Sequence, residues 1–286
     1  MNKLKMCLAM LIFGTIGVFV KYIPLSSSII AMTRGYMGAA FLFLVMLVTG
    51  SKPDFLAIKK NILPLTISGA AIGVNWILLF EAYNYVSIAV ATLCYYMQPV
   101  MLIILTPFVL KEKLSKAKVI CVPVALFGMV LVSGIFTSAG NVSFKGIALG
   151  LGAAVFYTSV IIINRFLKDI SAYDSTLVQL FAASVVITPY NLLTQEIGFS
   201  NIGISAWICV VLVGFLHTGF TYYLYFSSVK NLPSETVAIY SYIDPAFAVL
   251  LSVFLLREGM DKWGIIGAVL ILGATLASEV LHGKRR

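Results

Sequence analysis

The stretch GVNWILLFEAYNYVSIAVATLCYYMQP (residues 73–99) lies over GFTYYLYFSSVKNLPSETVAIYSYIDP (219–245) without a gap, at a constant offset of 146 residues. Gly73 meets Gly219, Phe80 meets Phe226, Tyr96 meets Tyr242 and Pro99 meets Pro245. The register continues through Leu110/Leu256, Glu112/Glu258 and Lys116/Lys262. Further upstream, at an offset of 145, Ser26 meets Ser171 and Arg34 meets Gln179. Each copy carries a polar residue directly before a proline inside an apolar run, Gln98-Pro99 in the first and Asp244-Pro245 in the second.

The surrounding composition assigns the solvent. Apolar residues make up 60% of the 286 and charged residues 11%, with a mean hydropathy of +1.01. A water-soluble domain cannot hide that much apolar side chain, so the chain is read as an all-α integral membrane protein in a lipid bilayer. The net charge of +9 comes from short basic clusters between long apolar runs, a pattern of membrane topology that argues against nucleic acid as a partner. Cys7, Cys94, Cys121 and Cys209 fall inside apolar segments without CxxC spacing and read as small core residues. Neither they nor the two histidines suggest a metal, and no cofactor is expected.

A spanning helix needs about 20 mostly apolar residues. Ten such segments are predicted, at roughly 4–20, 28–49, 61–81, 86–110, 117–136, 144–164, 173–193, 203–228, 234–256 and 261–281. The basic, then apolar N-terminus lacks a convincing A-x-A cleavage site and is read as a retained first span. Lys3, Lys5, Lys52, Lys59, Lys60, Lys111, Lys113, Lys116, Lys118, Arg165, Lys168, Lys230, Lys284, Arg285 and Arg286 fall on one side. Lys21, Arg34, Lys145, Arg257 and Lys262 fall on the other. This asymmetry predicts cytoplasmic termini and a multi-pass protein of the plasma membrane. Residues 1–140 form a first five-helix repeat and 141–286 a second. Because five is odd, the second half enters the membrane inverted, and the two halves enclose a central cavity. A duplicated bundle with proline-interrupted helices points to a secondary transporter. The duplication supplies both halves in one chain, so a monomer suffices.

Asp244 lies ten residues into the ninth span and Gln98 twelve into the fourth, which sets both near the bilayer centre. Pro99 and Pro245 kink these helices and free the carbonyls of Tyr95 and Ser241. An ionisable group at that depth is costly, which makes Asp244 a candidate for substrate binding and reversible protonation, with the proton as candidate coupling ion. The bland alternative is a neutral Asp244 bonded to a neighbouring helix. Tyr95, Tyr96, Tyr240 and Tyr242 flank the elbows rather than the interfaces, and Trp76 with its repeat mate Tyr222 adds aromatic surface. Such walls suit flat, aromatic or cationic organic solutes, although tight packing would also explain them. His217 is a candidate proton shuttle or a packing residue. Arg34 either snorkels outward or faces the cavity, pairing there with Glu81 or a substrate carboxylate. Glu235 and the turns around Glu112 and Glu258 are read as helix-end charges, and the Gly69/Gly73 and Gly146/Gly150 spacings as packing sites.

The residues 80–132 (FEAYNYVSIAVATLCYYMQPVMLIILTPFVLKEKLSKAKVICVPVALFGMVLV) and 239–276 (IYSYIDPAFAVLLSVFLLREGMDKWGIIGAVLILGATL) resemble the drug/metabolite transporter superfamily, EamA family. The resemblance rests on Pro99 and Pro245, on Glu112 and Glu258, on Gly128 with Gly267 or Gly273, and on Arg34. It implies a ten-helix fold around a central cavity, alternating access, and export of amino acids, metabolites or toxic compounds. Gln98, standing where the second half has Asp244, leaves one elbow acid rather than two. A lipid-linked or nucleotide-linked cargo would require a basic pocket, yet few basic residues besides Arg34 lie inside the spans. The chain has no G-x-x-x-x-G-K-[ST], no H-E-x-x-H and no G-x-S-x-G, so a carrier is expected rather than a pump or an intramembrane enzyme.

Overall fold

The computed structural model describes residues 2–109, 116–132, 143–194, 202–229, 232 and 240–283. All regular structure among them is helical. The first half contributes α1 (Asn2–Lys21), α2 (Ser27–Val48), a short surface helix α3 (Phe55–Lys60), α4 (Ile62–Ala82), α5 (Ile88–Tyr95), α6 (Gln98–Val109) and α7 (Lys116–Val132). The second contributes α8 (Phe144–Asn164), α9 (Ala172–Thr194), α10 (Ile204–Val211), a π-helical stretch Leu212–Phe220 running into α11 (Thr221–Val229), α12 (Ile243–Phe254) and α13 (Lys262–Gly283).

Seven helical stretches among the described residues are long and apolar enough to cross a membrane, and three shorter apolar helices lie at Val119–Val132, Ile243–Phe254 and Lys262–Ala274. Polarity is turned inside out. Val48, Phe108, Phe181, Leu193 and Phe254 are exposed, whereas Ser68, Asn75, Gln179 and His217 are buried. In water so much outward apolar surface would drive aggregation; against lipid tails it costs nothing. The chain is a multi-pass membrane protein.

Because lipid is as apolar as leucine, helices here associate through close contact and buried hydrogen bonds. Glycines supply the close contact. A Cβ on Gly128 would stand 2.8 Å from the Gly267 carbonyl oxygen, so α7 and α13 cross nearly backbone to backbone. Gly69 and Gly73 admit α9, while Gly146 and Gly150 admit Tyr85–Val86 and the Ala91–Cys94 turn of α5. Gly273 has open space around it. Asn75 Nδ2 donates to the Ala153 carbonyl at 2.6 Å, fixing α4 to α8. Three packing pairs recur between halves. α1 lies on α12 as α8 lies on α5 and α6; α4 lies on α8 as the α10–α11 helix lies on α1; α4 lies on α9 as the π-helical stretch lies on α2.

The π-helical stretch accounts for the change of repeat offset. A Cβ on Gly69 would meet Ala182, and one on Gly214 would meet Met37. Both Gly69/Gly214 and Met37/Ala182 are 145 residues apart, so these contacts are repeat mates. Gly73/Gly219 is already 146 apart. The second half therefore carries one extra residue between 214 and 219, absorbed as a π-turn, the usual form of a single-residue insertion in a helix. Three side chains bond to carbonyls five residues back. Thr218 Oγ1 donates to Val213 at 2.9 Å, Thr221 Oγ1 donates to Leu216 at 2.7 Å, and His217 Nδ1 lies 3.0 Å from the Leu212 oxygen.

One boundary differs from expectation. The fourth span is not one kinked helix: α5 ends at Tyr95 and α6 starts at Gln98, with Tyr96 and Met97 as a turn. Pro99 then sits in the first turn of a new helix, where its missing N–H is harmless. Glu112, Lys111, Lys113, Glu235 and the ends of the fifth and ninth spans lie outside the described residues.

Candidate functional site

The two proline elbows border one cavity of about 500 Å³, lined by residues of both halves. Of the residues singled out from sequence, Asp244, Gln98, Tyr95, Tyr96, Tyr242, Trp76, Tyr222, Arg34 and Pro99 line it. Tyr96 Oη donates to Asp244 Oδ2 at 2.6 Å, joining the elbow of one half to that of the other. Tyr96 occupies the turn between α5 and α6, and Asp244 the first turn of α12, so each helix break delivers one partner of this bond. Pro245 is buried in α12, and Gln98 offers its carbonyl to Thr158 Oγ1 at 3.3 Å.

Aromatic rings form the walls in pairs. Tyr95 stands edge-on to Tyr96 and tilted against Tyr157, each with centroids 5.5 Å apart, and Phe13 meets Tyr222 edge-on at 5.4 Å. Tyr157 was not evident in the sequence because it has no aromatic repeat mate. Thr92, Asn164 and Gln179 also line the cavity. Gln179 had one signal, its register with Arg34.

Arg34 faces inward. Its side chain is buried, its Nε donates to Thr218 Oγ1 at 3.0 Å, and its guanidinium carbon lies 4.1 Å above the Trp76 ring and 5.4 Å from that of Phe80. The expected pairing with Glu81 does not form. Glu81 Oε2 instead accepts from Ser27 Oγ at 2.9 Å and Asn84 Nδ2 at 3.2 Å. His217 is not among the cavity residues either. It is fully buried behind the wall, with Nε2 2.7 Å from Thr15 Oγ1, Nδ1 on the Leu212 carbonyl and its ring against Phe19. Tyr240 packs with Met6 and Leu224.

Glu258 gathers the start of α5 beside Ile88, which lines the cavity. Its carboxylate accepts from Lys21 Nζ and Ser252 Oγ, and from the backbone N–H of Ile88 at 2.9 Å, while Ser252 Oγ accepts from the N–H of Ala89 at 3.1 Å. Glu258 therefore caps α5 rather than the helix end it follows, a role its position in the chain did not suggest.

Known proteins match both halves of this chain. The EamA-like transporter family matches residues 3–134 and 144–278, one match in each half. The uncharacterized transporter YxxF of Bacillus subtilis is 28% identical over 284 residues, spanning 98% of this chain and 90% of that protein. Protein PecM of Dickeya dadantii is 22% identical, spanning 77% of each. A solved crystal structure superposes with a TM-score of 0.68 at 19% identity, covering 100% of this chain and 98% of that one, and so shares its fold.

Proposed function

The chain belongs to the EamA-like transporter family, and we propose that within it this protein is a secondary carrier exporting a small organic solute by alternating access. The observation that carries this reading is the cavity at the crossing of the two broken helices, walled by both halves and bridged by Tyr96 and Asp244. Residues 1–140 and 141–286 are two five-helix repeats of inverted topology, ten spans in all. The recurrence of three packing pairs in the other half supports that arrangement, since a two-fold duplication exchanges the partners of a contact. The termini are cytoplasmic and the membrane is the plasma membrane, so the Lys21–Glu258 cluster lies at the outer end. A cysteine placed at position 140 then labels from outside intact cells and one at 114 does not.

Asp244 binds or relays a proton in this cycle, with Tyr96 as its partner. The test is a thermal-stability screen of purified protein against amino acids, purines, polyamines, vitamins and quaternary-ammonium drugs, followed by counterflow of each stabilising solute in proteoliposomes. A ligand of the folded state raises the melting temperature, and a transported one also exchanges across the bilayer unchanged. Chemical conversion of the solute would overturn the carrier reading. Asp244→Asn is expected to abolish pH-driven accumulation while sparing exchange; unchanged pH-driven flux would remove the proton role.

A further inference from the structure

Arg34 is a permanent cation, 5% exposed, in the wall of the cavity. Its only protein hydrogen bond among the described residues uses Nε, taken by Thr218 Oγ1, and Thr218 is itself fixed by donating to the Val213 carbonyl. No carboxylate oxygen among the described residues lies within 4.0 Å of the guanidinium. One flat face is covered by Trp76. What is left is the Nη edge. Among the described residues the sealed polar side-chain atoms that lack a partner are Asp174 Oδ1 and Asn191 Oδ1, so the Nη groups are not sealed in the wall but open to the cavity that Arg34 lines. A guanidinium held in the membrane without a counter-ion is expensive, and its two parallel N–H groups match the two oxygens of a carboxylate.

The repeat mate shows what a purely structural residue at this position looks like. Gln179 Nε2 donates to Ser68 Oγ at 2.7 Å and to Asn164 Oδ1 at 2.6 Å, so both of its protons are used within the protein. In the other half a cation replaces the amide, and the extra residue of the π-turn brings Thr218 to its Nε alone.

Resting on the carrier reading above, we propose that the transported solute bears a carboxylate, seated on the Nη edge of Arg34, with its apolar body against the aromatic wall of Trp76, Tyr95 and Tyr222. A monoanion fits better than a phosphate, because Arg34 is the sole basic residue lining the cavity among those described and Asp244 lies in the same wall. Both a simple organic acid and a zwitterion such as an amino acid present this group; only the latter would also place an ammonium on Asp244.

Three probes with one phenyl body separate these cases: 3-phenylpropionate, phenylalanine and phenethylamine, each titrated into purified full-length protein by calorimetry. 3-Phenylpropionate and phenylalanine are expected to bind, and phenethylamine not. Arg34→Gln is expected to weaken the acids roughly 30-fold and Arg34→Lys roughly 5-fold, since the lysine keeps the charge and loses the fork. Thr218→Val, which leaves the cation but frees its aim, is expected to cost about 3-fold. A simple acid binding as tightly as phenylalanine assigns organic acids; a preference for phenylalanine that Asp244→Asn removes assigns zwitterions. Binding of phenethylamine alone, or of none of the three, overturns the proposal, as does unchanged acid affinity in a folded Arg34→Gln protein. Counterflow is measured separately. Acids that bind without flux would remove the carrier reading and leave the site, whereas flux of a cation with no acid binding would do the reverse.

Discussion

The helix α4 and its repeat mate, Ile204–Val229, began as copies and diverged by one residue. α4 is regular throughout its 21 residues, while its mate widens into a π-turn over Leu212–Phe220. An inserted residue normally rotates everything beyond it by about 100° around the helix. Here the bulge takes up the rotation, so Gly214 still admits Met37 on one flank and Tyr222 still meets the cavity on the other. The duplication preserved the packing faces, and the bulge between them holds hydroxyl and imidazole groups without disturbing either.

Removing the insertion tests this most severely. Deleting Leu216 would make the helix regular, with Tyr222 still on the cavity as its mate Trp76 is from α4, but would pull His217 and Thr218 off their bonds to Thr15 and Arg34. Solute binding should weaken and the melting temperature should fall by about 10 °C or more. A deletion mutant with unchanged binding and stability would mean the bulge is incidental. Next come the glycines. Alanine at Gly69 meets the backbone oxygen of Gln179 at 2.7 Å, whereas at Gly214 the neighbours are all atoms of the Met37 side chain. A side chain yields more readily than a backbone, so Gly69→Ala should lower the melting temperature by about 5 °C and Gly214→Ala by about half as much. Equal losses would show that the regular helix is no tighter than the bulged one. Gln179→Leu should cost about 1–2 kcal/mol through its two lost bonds, and combination with Ser68→Ala should be less than additive.

The smallest effect lies outside the bundle. Lys60 donates to Asp169 at 2.9 Å and holds that carboxyl below its usual pKa. A depressed carboxyl contributes stability above its unfolded pKa and loses it as pH falls through the lower, folded value. Both partners are exposed, so Asp169→Asn, which also tolerates the left-handed φ of 52° there, should shift the melting temperature at neutral pH by less than about 1 °C. The difference from the wild type should vanish in acid.

Hydropathy made the membrane helices legible, and the proline elbows marked the residues that meet in the cavity. The insertion left a trace too, as the offset changing from 145 to 146 between Arg34 and Gly73. Its place within that interval was hidden, because the contact identifying Gly214 as the mate of Gly69 is made with another helix. The same limit explains His217. Position along a helix gives depth but not the side of the axis a residue takes, and that side is set by Thr15 and Phe19, some two hundred residues away. Arg34 was legible as a cation that either snorkels outward or faces the cavity; that it turns inward and is held by Thr218 rather than Glu81 depends on the turn of a distant helix.

The Glu258 cluster carries a kinetic consequence. The carboxylate that pairs with Lys21 also caps α5 and holds Ser252, so these groups cannot part without leaving the Ile88 and Ala89 amides bare. Losing a cap costs about 1 kcal/mol, and an ion pair drawn out of its bonds costs more. If the proposed cycle opens the bundle here, parting these groups is a cost met once per turn, whatever the cargo. The slow step of turnover should then respond to Lys21 and Ser252, which do not line the cavity, while affinity for the solute does not.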